Sequence, residues 1–174
     1  MQTQTITTYN FGELNEKAKQ FALNKNRELC VSDYWYSDTF EGARELGIKI
    51  TEFDLDRAQK IKGEFIDEHI EVADHILDNW GESCQLYKIS EQFRKERDEL
   101  CDQWQKDEKG ELDNVDELDE KLDELENQFE KDILWQYWIL LRDEYEYLFS
   151  DEFLADYLDN NDYQFTENGI LYNF

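Results

Sequence analysis

Apolar residues recur at spacings of three and four along residues 84–148, which is the longest regular pattern in the chain. A helix with one buried face has this spacing, because each turn takes 3.6 residues. Lys109 and Gly110 interrupt the pattern, so it predicts two antiparallel helices that turn there. The apolar positions are Leu86, Ile89, Phe93, Leu100 and Trp104 before the turn, and Val115, Leu118, Leu122, Leu125 and Phe129 after it.

The pattern changes over residues 133–141, where nearly every position is apolar. A helix that is apolar on all sides is normally buried. We therefore expect this stretch to lie in the core, while residues 84–130 form a projecting arm. A single helix over 112–148 would measure about 55 Å, which is unusual in a globular domain.

The first part of the chain predicts one short strand and two helices. Residues 5–9 are mostly β-branched or aromatic, as in a strand, and helical spacing follows over 11–29 and from about 33 to 46. The boundary and face residues are Asn10 as the first N-cap, Phe21 and Leu29 on the first apolar face, Ser32 or Asp33 as the second N-cap, and Gly47 as a left-handed C-terminal cap.

Two further patterns predict hairpins. Polar and apolar residues nearly alternate over 48–55 and 60–66, on either side of Arg57 to Gln59. Near the C-terminus, Asn168 and Gly169 join two β-prone runs, which is a strong hairpin signal. Helices are expected after Asp67 as far as Trp80, and from about Glu152 to Leu158.

Together these elements predict an α+β fold that is mainly helical, with a long antiparallel helical hairpin and a small antiparallel β-sheet. The chain has no proline and only seven glycines, so flexible linkers are not expected and residues 1–174 are interpreted as a single domain. Residues 1–106 carry a net charge of −8 and are interpreted as scaffold, whereas residues 107–174 carry −18.

Composition distinguishes this chain from a disordered acidic tail. The net charge is −26 over 174 residues, yet 40% of the residues are hydrophobic and 15% are aromatic. Disordered acidic segments lack such aromatic content, so a packed core is expected. Three cysteines without metal-ligand spacing, and no apolar leader or membrane-length segment, favour a cytoplasmic protein.

The charge is concentrated in residues 107–130, which contain twelve acids and only two bases, Lys109 and Lys121. An ordinary solvated helix alternates Glu with Lys, because like charges four residues apart are destabilising. Here the unfavourable spacing is repeated, which favours a functional role over simple solvation. The predicted partner-binding residues are Asp113, Asp116, Glu117, Asp119, Glu120, Asp123, Glu124, Glu126 and Glu130.

A negative helix of this kind suits a basic partner. Acids three or four residues apart recur every 4.5 to 6 Å or so, comparable with the charges of a phosphate backbone. The arm is therefore expected to enter a Lys- or Arg-lined nucleic-acid groove of another protein. Direct binding to nucleic acid is not expected, since a surface of this charge repels phosphates, and we expect a monomer that repels its own copies.

No motif favours an enzyme, and no catalytic residue, cofactor or metal is assigned. His69 and His75 are six residues apart, so they do not face one metal ion from one helix. Asp54 and Asp56 are interpreted as stabilising a turn with Arg57. The cysteines Cys30, Cys84 and Cys101 are interpreted as core residues, and the spacing of Asp156, Asp159 and Asp162 departs from that of a calcium loop.

Three runs carry a resemblance: residues 11–19 (FGELNEKAK), 47–57 (GIKITEFDLDR) and 163–169 (YQFTENG). Together they resemble a group of small acidic phage and prophage proteins. The resemblance implies a phage-encoded accessory protein, a class in which anti-CRISPR and anti-restriction inhibitors are common. It transfers no catalytic residues.

The leading hypothesis is thus a phage inhibitor that occupies the nucleic-acid channel of a host defence protein, foremost a CRISPR effector nuclease, otherwise a restriction enzyme. Two alternatives remain open. One is an antitoxin-like or regulatory protein that masks a basic partner. The other is an inhibitor that grips its target through aromatic side chains around Trp35, Trp135 and Trp138, with charge only steering association.

Overall fold

The computed structural model describes residues 7–104, 110 and 115–172. Its secondary structure is α+β and mainly helical, as predicted. In chain order the strands are β1 (Tyr9–Asn10), β2 (Ile48–Asp54), β3 (Lys60–Phe65) and β4 (Gln164–Phe165), and the helices are α1 (Glu16–Lys25), α2 (Ser37–Glu45), α3 (His69–Asn79), α4 (Gln85–Gln103), α5 (Val115–Leu148) and α6 (Asp151–Asn160).

The chain divides into two compact units. The first unit takes in the residues up to Trp35 and those from Asp143 onward, and the second unit is Tyr36–Arg142. Helix α5 contributes to both units. The expectation that residues 1–174 form a single domain stays a prediction.

The first unit is built around α1, α6 and the β1–β4 pair. Strand β1 pairs with β4 in antiparallel register, with Tyr9 opposite Phe165. The chain then reverses at Gly169, whose φ of +79° favours glycine, and Phe165 bridges to Leu171. The predicted hairpin around Asn168 and Gly169 is therefore confirmed. The buried side chains are Phe11, Leu14, Ala18, Ala22, Leu23, Leu154, Leu158 and Phe165.

The helix predicted over 11–29 is wrong at both ends. Residues Phe11–Glu13 form a short 3₁₀ helix, and α1 begins only after Asn15, whose side chain accepts a hydrogen bond of 3.0 Å from the Ala18 amide. Asn26 ends the helix by donating to the Ala22 carbonyl. Phe21 and Leu29, both expected on the apolar face, are exposed.

The second unit has its core between the β2–β3 hairpin and helices α2, α3, α4 and α5. The hairpin pairs Ile48 with Phe65 and is confirmed, although the register shifts between Ile50 and Glu52. Over the described residues the strands thus form two separate pairs rather than one sheet. The buried residues are Ala43, Leu46, Ile48, Ile50, Val72, Ala73, Ile76, Leu86, Phe93, Phe129, Ile133, Leu134 and Tyr137.

Helices α4 and α5 are antiparallel, as predicted. The rings of Phe93 and Phe129 stack with centroids 4.1 Å apart, and towards the turn Lys121 lies over the ring of Trp104 at 4.6 Å. Because Phe93 and Phe129 belong to the main core, the arm expected over 84–130 is shorter than predicted. Leu125, one turn before Phe129, also packs against this core.

Helix α5 is continuous for 34 residues. At 1.5 Å per residue it measures about 51 Å. This is close to the length of about 55 Å that is unusual for a helix in a globular domain. Its 133–141 segment is buried at Ile133, Leu134, Tyr137, Trp138 and Leu141 but not at Trp135, which is 43% exposed. The expectation of burial on all sides is therefore wrong for one side of the helix.

Candidate partner-binding surface

The first half of α5 folds as a helix because one stripe of apolar residues faces α4. Leu118 and Phe129 are buried, and Leu122 and Leu125 are half-buried between them. These positions are three or four residues apart and share one side of the helix. The opposite side of this half is therefore left to solvent.

Four of the predicted carboxylates occupy that opposite side. Asp116, Glu120, Asp123 and Glu124 are all exposed. At about 100° per residue they fall within roughly 100° of the helix circumference, centred opposite the apolar stripe. We call these four residues the acidic face. None of them forms an ion pair with a basic side chain in the described parts of the chain.

Glu117 differs from the acidic face because it has a partner. Its carboxylate lies 2.9 Å from the Lys121 ammonium, one helical turn later. The same ammonium lies over the Trp104 ring. Lys121 is thus bound from two directions, and Glu117 contributes to the contact between α5 and α4 rather than to a free negative surface.

Glu126 and Glu130 follow the acidic face along α5 but differ from it because they contact a basic side chain. Their carboxylates flank the imidazole of His69, at 3.5 Å from Nδ1 and 3.6 Å from Nε2 respectively. The His69 ring packs on Phe65 with a centroid distance of 5.2 Å. This like-charged pair therefore has a structural position against the start of α3, which the sequence interpretation did not foresee.

Two predicted residues complete the set. Asp119 is exposed beside the acidic face, on the side towards Glu126. Asp113 lies outside the described residues, as do the acids at 107, 108 and 111. The structure therefore places five of the nine predicted carboxylates, the acidic face and Asp119 beside it, on one accessible side of α5.

The Asp54–Arg57 segment is a turn, but an ion pair is not what holds it. The Asp54 carboxylate accepts hydrogen bonds from the backbone amides of Asp56 at 2.9 Å and Arg57 at 3.0 Å. These bonds hold the pKa of Asp54 below its ordinary value. The Asp54 carbonyl in turn accepts a 2.9 Å hydrogen bond from the Trp138 indole.

The remaining chemically active residues are dispersed. His75 lies 3.9 Å from Asp67, far along α3 from the His69 contacts. Cys30 and Cys84 are half-buried, and burial raises the pKa of the Cys30 thiol, but Cys101 is exposed and its assignment to the core is wrong. Over residues 7–104, 110 and 115–172, no three His, Cys, Asp or Glu side chains are grouped as metal ligands.

Aromatic residues form a second accessible feature of α5. Trp135 stacks on Trp138 with ring centroids 4.6 Å apart and planes 4° from parallel. Trp138 is only 3% exposed, so Trp135 covers it and presents its own outer ring face to solvent. Helical periodicity predicts this poorly, since eight of the nine residues in the 133–141 stretch are apolar and only Gln136 marks a polar side.

No helix in the described part of the chain is both long enough and apolar enough to cross a membrane. Comparison with known proteins finds no matching family model, no matching curated protein and no matching solved structure. A functional interpretation therefore depends on the side chains of this molecule itself.

Proposed function

We propose that the protein binds a basic nucleic-acid-binding protein through the acidic face of α5 and blocks the partner's nucleic-acid channel. The partner class is a bacterial effector nuclease, foremost a CRISPR effector. The acidic face acts as a mimic of a phosphate backbone. The protein is then an inhibitor encoded by a phage against host defence.

The observation that carries this proposal is the exposed, unpaired state of the acidic face. Acids that serve only solubility are commonly interspersed with bases, as Glu117 is with Lys121 in the same helix. Among the residues that the structure describes, the acidic face has no such compensation. Its four charges are therefore available to cations of another molecule, and long-range attraction favours a positively charged groove.

The spacing of the charges supports mimicry. From Asp116 to Glu124 the helix rises about 12 Å, which gives one charge about every 4 Å. A single nucleic-acid strand carries one phosphate about every 3.4 Å. Lys and Arg side chains that are arranged for phosphates therefore meet carboxylates at a similar density, on a scaffold that no nuclease cleaves.

The phage and defence context depends on the resemblance of residues 11–19, 47–57 and 163–169 to acidic phage proteins. An antitoxin-like or regulatory protein that masks a basic partner would use the acidic face in the same way. The phage inhibitor and the antitoxin-like protein differ in the identity of their partner, so identification of the recovered partner distinguishes these two functions.

A second candidate function is favoured by the exposure of Trp135. An inhibitor that grips its target through aromatic rings would use this residue as an anchor, because aromatic side chains dominate many interfaces. In that case charge steers the encounter but contributes little to the lifetime of the complex.

The first experiment is recovery of partners from a bacterial lysate on the tagged protein, with and without excess DNA or RNA. Mimicry predicts a nucleic-acid enzyme that the competitor displaces. The Kd for that enzyme should then rise steeply between about 50 and 200 mM salt. A partner indifferent to both competitor and salt would support the aromatic grip instead.

Charge reversal tests the surface itself. Changing Asp116, Glu120 and Glu124 together to Lys should weaken binding about 100-fold or more, with an unchanged circular dichroism spectrum. The matched control uses three exposed acids at similar spacing on α2, Asp38, Glu41 and Glu45, and changes all three to Lys. Equal losses in both variants would show that net charge alone drives binding, and full binding by the α5 variant would refute the proposal.

A further inference from the structure

The first unit contains a cavity of about 360 Å³ that combines aromatic walls with acidic residues. It lies between the segment that follows α1 and the end of α5. Trp35, Tyr145 and Phe149 supply the aromatic lining, and Glu28 and Asp33 supply the carboxylates. None of these residues belongs to the acidic face.

The aromatic lining is held by local structure on both sides. The Trp35 amide donates to the Ser32 carbonyl at 3.3 Å, which fixes the turn that presents the indole. Tyr145 lies in the last turn of α5, and Phe149 directly follows the helix with its amide donating to the Tyr145 carbonyl at 3.1 Å, so the two rings project from the same side. The rings of Trp35 and Tyr145 lie 5.5 Å apart, and those of Tyr145 and Phe149 lie 4.5 Å apart.

The two carboxylates remain available. Glu28 and Asp33 are exposed, and neither is ion-paired with a described basic side chain. The neighbouring cation is already engaged, because Arg27 bonds to Asp151 at 2.7 Å and to the Phe149 carbonyl at 3.0 Å. Arg27 thus anchors the wall of the cavity without neutralising its acids.

Aromatic rings beside free carboxylates form an environment that favours organic cations. The faces of Trp and Tyr rings attract positive charge, and carboxylates accept charge-assisted hydrogen bonds. A guanidinium group uses both features, since it is planar, stacks on aromatic rings and has five N–H donors. A quaternary ammonium group has no N–H donor and therefore cannot donate a hydrogen bond to Glu28 or Asp33.

From this geometry we infer that the cavity binds the guanidinium group of an arginine side chain presented by a protein partner. Its acids and Tyr145 are exposed, so the side chain has access from solvent. The inference uses residues of the first unit only. It can therefore be tested independently of the mimicry proposed for the acidic face in the second unit.

The test uses the full chain and Nα-acetyl-arginine amide as the probe, at about 150 mM salt to screen general attraction. The indole N–H signal of Trp35, assigned through Trp35→Phe, is followed by nuclear magnetic resonance. A saturable shift is expected with the arginine probe. The corresponding citrulline amide, which is similar in shape but uncharged, should produce none, and the lysine amide should bind more weakly.

Paired variants separate the site from the overall negative charge. Glu28→Gln with Asp33→Asn should weaken the arginine probe about fivefold to tenfold. Glu152→Gln with Asp156→Asn makes the same charge change on exposed positions of α6 in the same unit and should leave the affinity unchanged. Tyr145→Leu should weaken binding about threefold to fivefold through loss of the ring face.

Three outcomes would overturn the inference. Equal shifts with arginine and citrulline would show an apolar pocket without preference for cations. Equal weakening by the two charge-neutralised variants would show nonspecific attraction to an anionic protein. Absence of a Trp35 shift at any concentration of the arginine probe would show that the cavity does not bind it.

Discussion

The two halves of α5 within the second unit differ in their surroundings although they form one continuous helix. The acidic half, residues 115–130, buries two side chains, Leu118 and Phe129. The apolar half, residues 131–142, buries five: Ile133, Leu134, Tyr137, Trp138 and Leu141. One half is thus packed along a sparse stripe, and the other along a densely buried face of about 140°.

This difference shows how one helix combines stability with an available charged surface. The apolar half is stabilised by burial of large side chains, each worth about 1.5–3 kcal/mol. Burial of Tyr137 also raises the pKa of its hydroxyl, which has no hydrogen-bond partner among the described residues. The acidic half packs only along its stripe against α4, so its outer side is left to the carboxylates of the acidic face.

Truncation of Trp138 should produce the largest effect. Trp138→Ala removes a buried indole together with its hydrogen bond to the Asp54 carbonyl, and it should lower the free energy of unfolding by about 3–5 kcal/mol. Urea denaturation followed by circular dichroism measures this loss. Trp135→Ala is the matched control, because the ring is exposed on the outer side of the stack, and should cost about 1 kcal/mol.

Equal losses in the two tryptophan variants would contradict the contrast between a buried and an exposed ring. If Trp135→Ala also weakens binding to a partner while its stability is retained, the aromatic grip gains support over mimicry.

A smaller effect is expected at the contact between the hairpin and the apolar half. A Cβ atom on Gly63 would lie 2.7 Å from the Lys49 carbonyl oxygen and 2.8 Å from a methyl group of Leu134. Gly63→Ala should therefore lower the free energy of unfolding by about 1–3 kcal/mol through overpacking. Thermal and urea denaturation test this.

Gly42 supplies the control for the Gly63 variant. It lies within α2, and a Cβ atom there would meet nothing within 4 Å. Gly42→Ala should stabilise the protein by about 0.5–1 kcal/mol, because alanine loses less conformational freedom in a helix. Destabilisation by both substitutions would show that close packing at Gly63 is not the cause.

The elements that were predicted correctly are those whose signals are local. Alternation of polar and apolar residues identified the β2–β3 hairpin, and Gly47 has the positive φ expected after α2. The start of α1 was missed because Asn10 and Asn15 are both suitable caps. Only tertiary burial of Phe11 and Leu14 decides between them, by holding the intervening residues out of α1.

The candidate surface shows the same limit. The pairing of Glu117 with Lys121 follows the four-residue rule and was readable from the sequence. The positions of Glu126 and Glu130 beside His69 were not, because these residues are more than fifty positions apart and meet only when α3 packs near α5. Repeated like charges therefore have a structural explanation at Glu126 and Glu130, and a function is proposed only for those of the acidic face.

Neutralising a single carboxylate within the acidic half should have a smaller effect on the free energy of unfolding. Two such substitutions should have effects of opposite sign to each other. Glu120→Gln removes like-charge contacts with Asp116 and Glu124 and should raise the free energy of unfolding by about 0.5–1 kcal/mol. Glu117→Gln removes the favourable pair with Lys121 and should lower it by about 0.3–0.5 kcal/mol. Both differences, measured by urea denaturation, should shrink as salt is raised. Stabilisation by both substitutions would show that only net charge matters in this half.

The smallest expected effect concerns acid sensitivity of the hairpin that packs on the apolar half. Hydrogen bonds from Lys60 and Lys62 lower the pKa of Glu52 from its ordinary value of 4.5 to about 2. Because the folded pKa is the lower one, this contribution to stability is present above about pH 4.5 and is lost as the pH falls towards 2. Glu52→Gln should therefore flatten that part of the pH profile of unfolding, whereas Glu41→Gln, on exposed α2, should leave it unchanged. Parallel acid profiles for Glu52→Gln and the parent protein would show that the lysine contacts of Glu52 do not stabilise the hairpin, and the apolar half would then depend on packing alone.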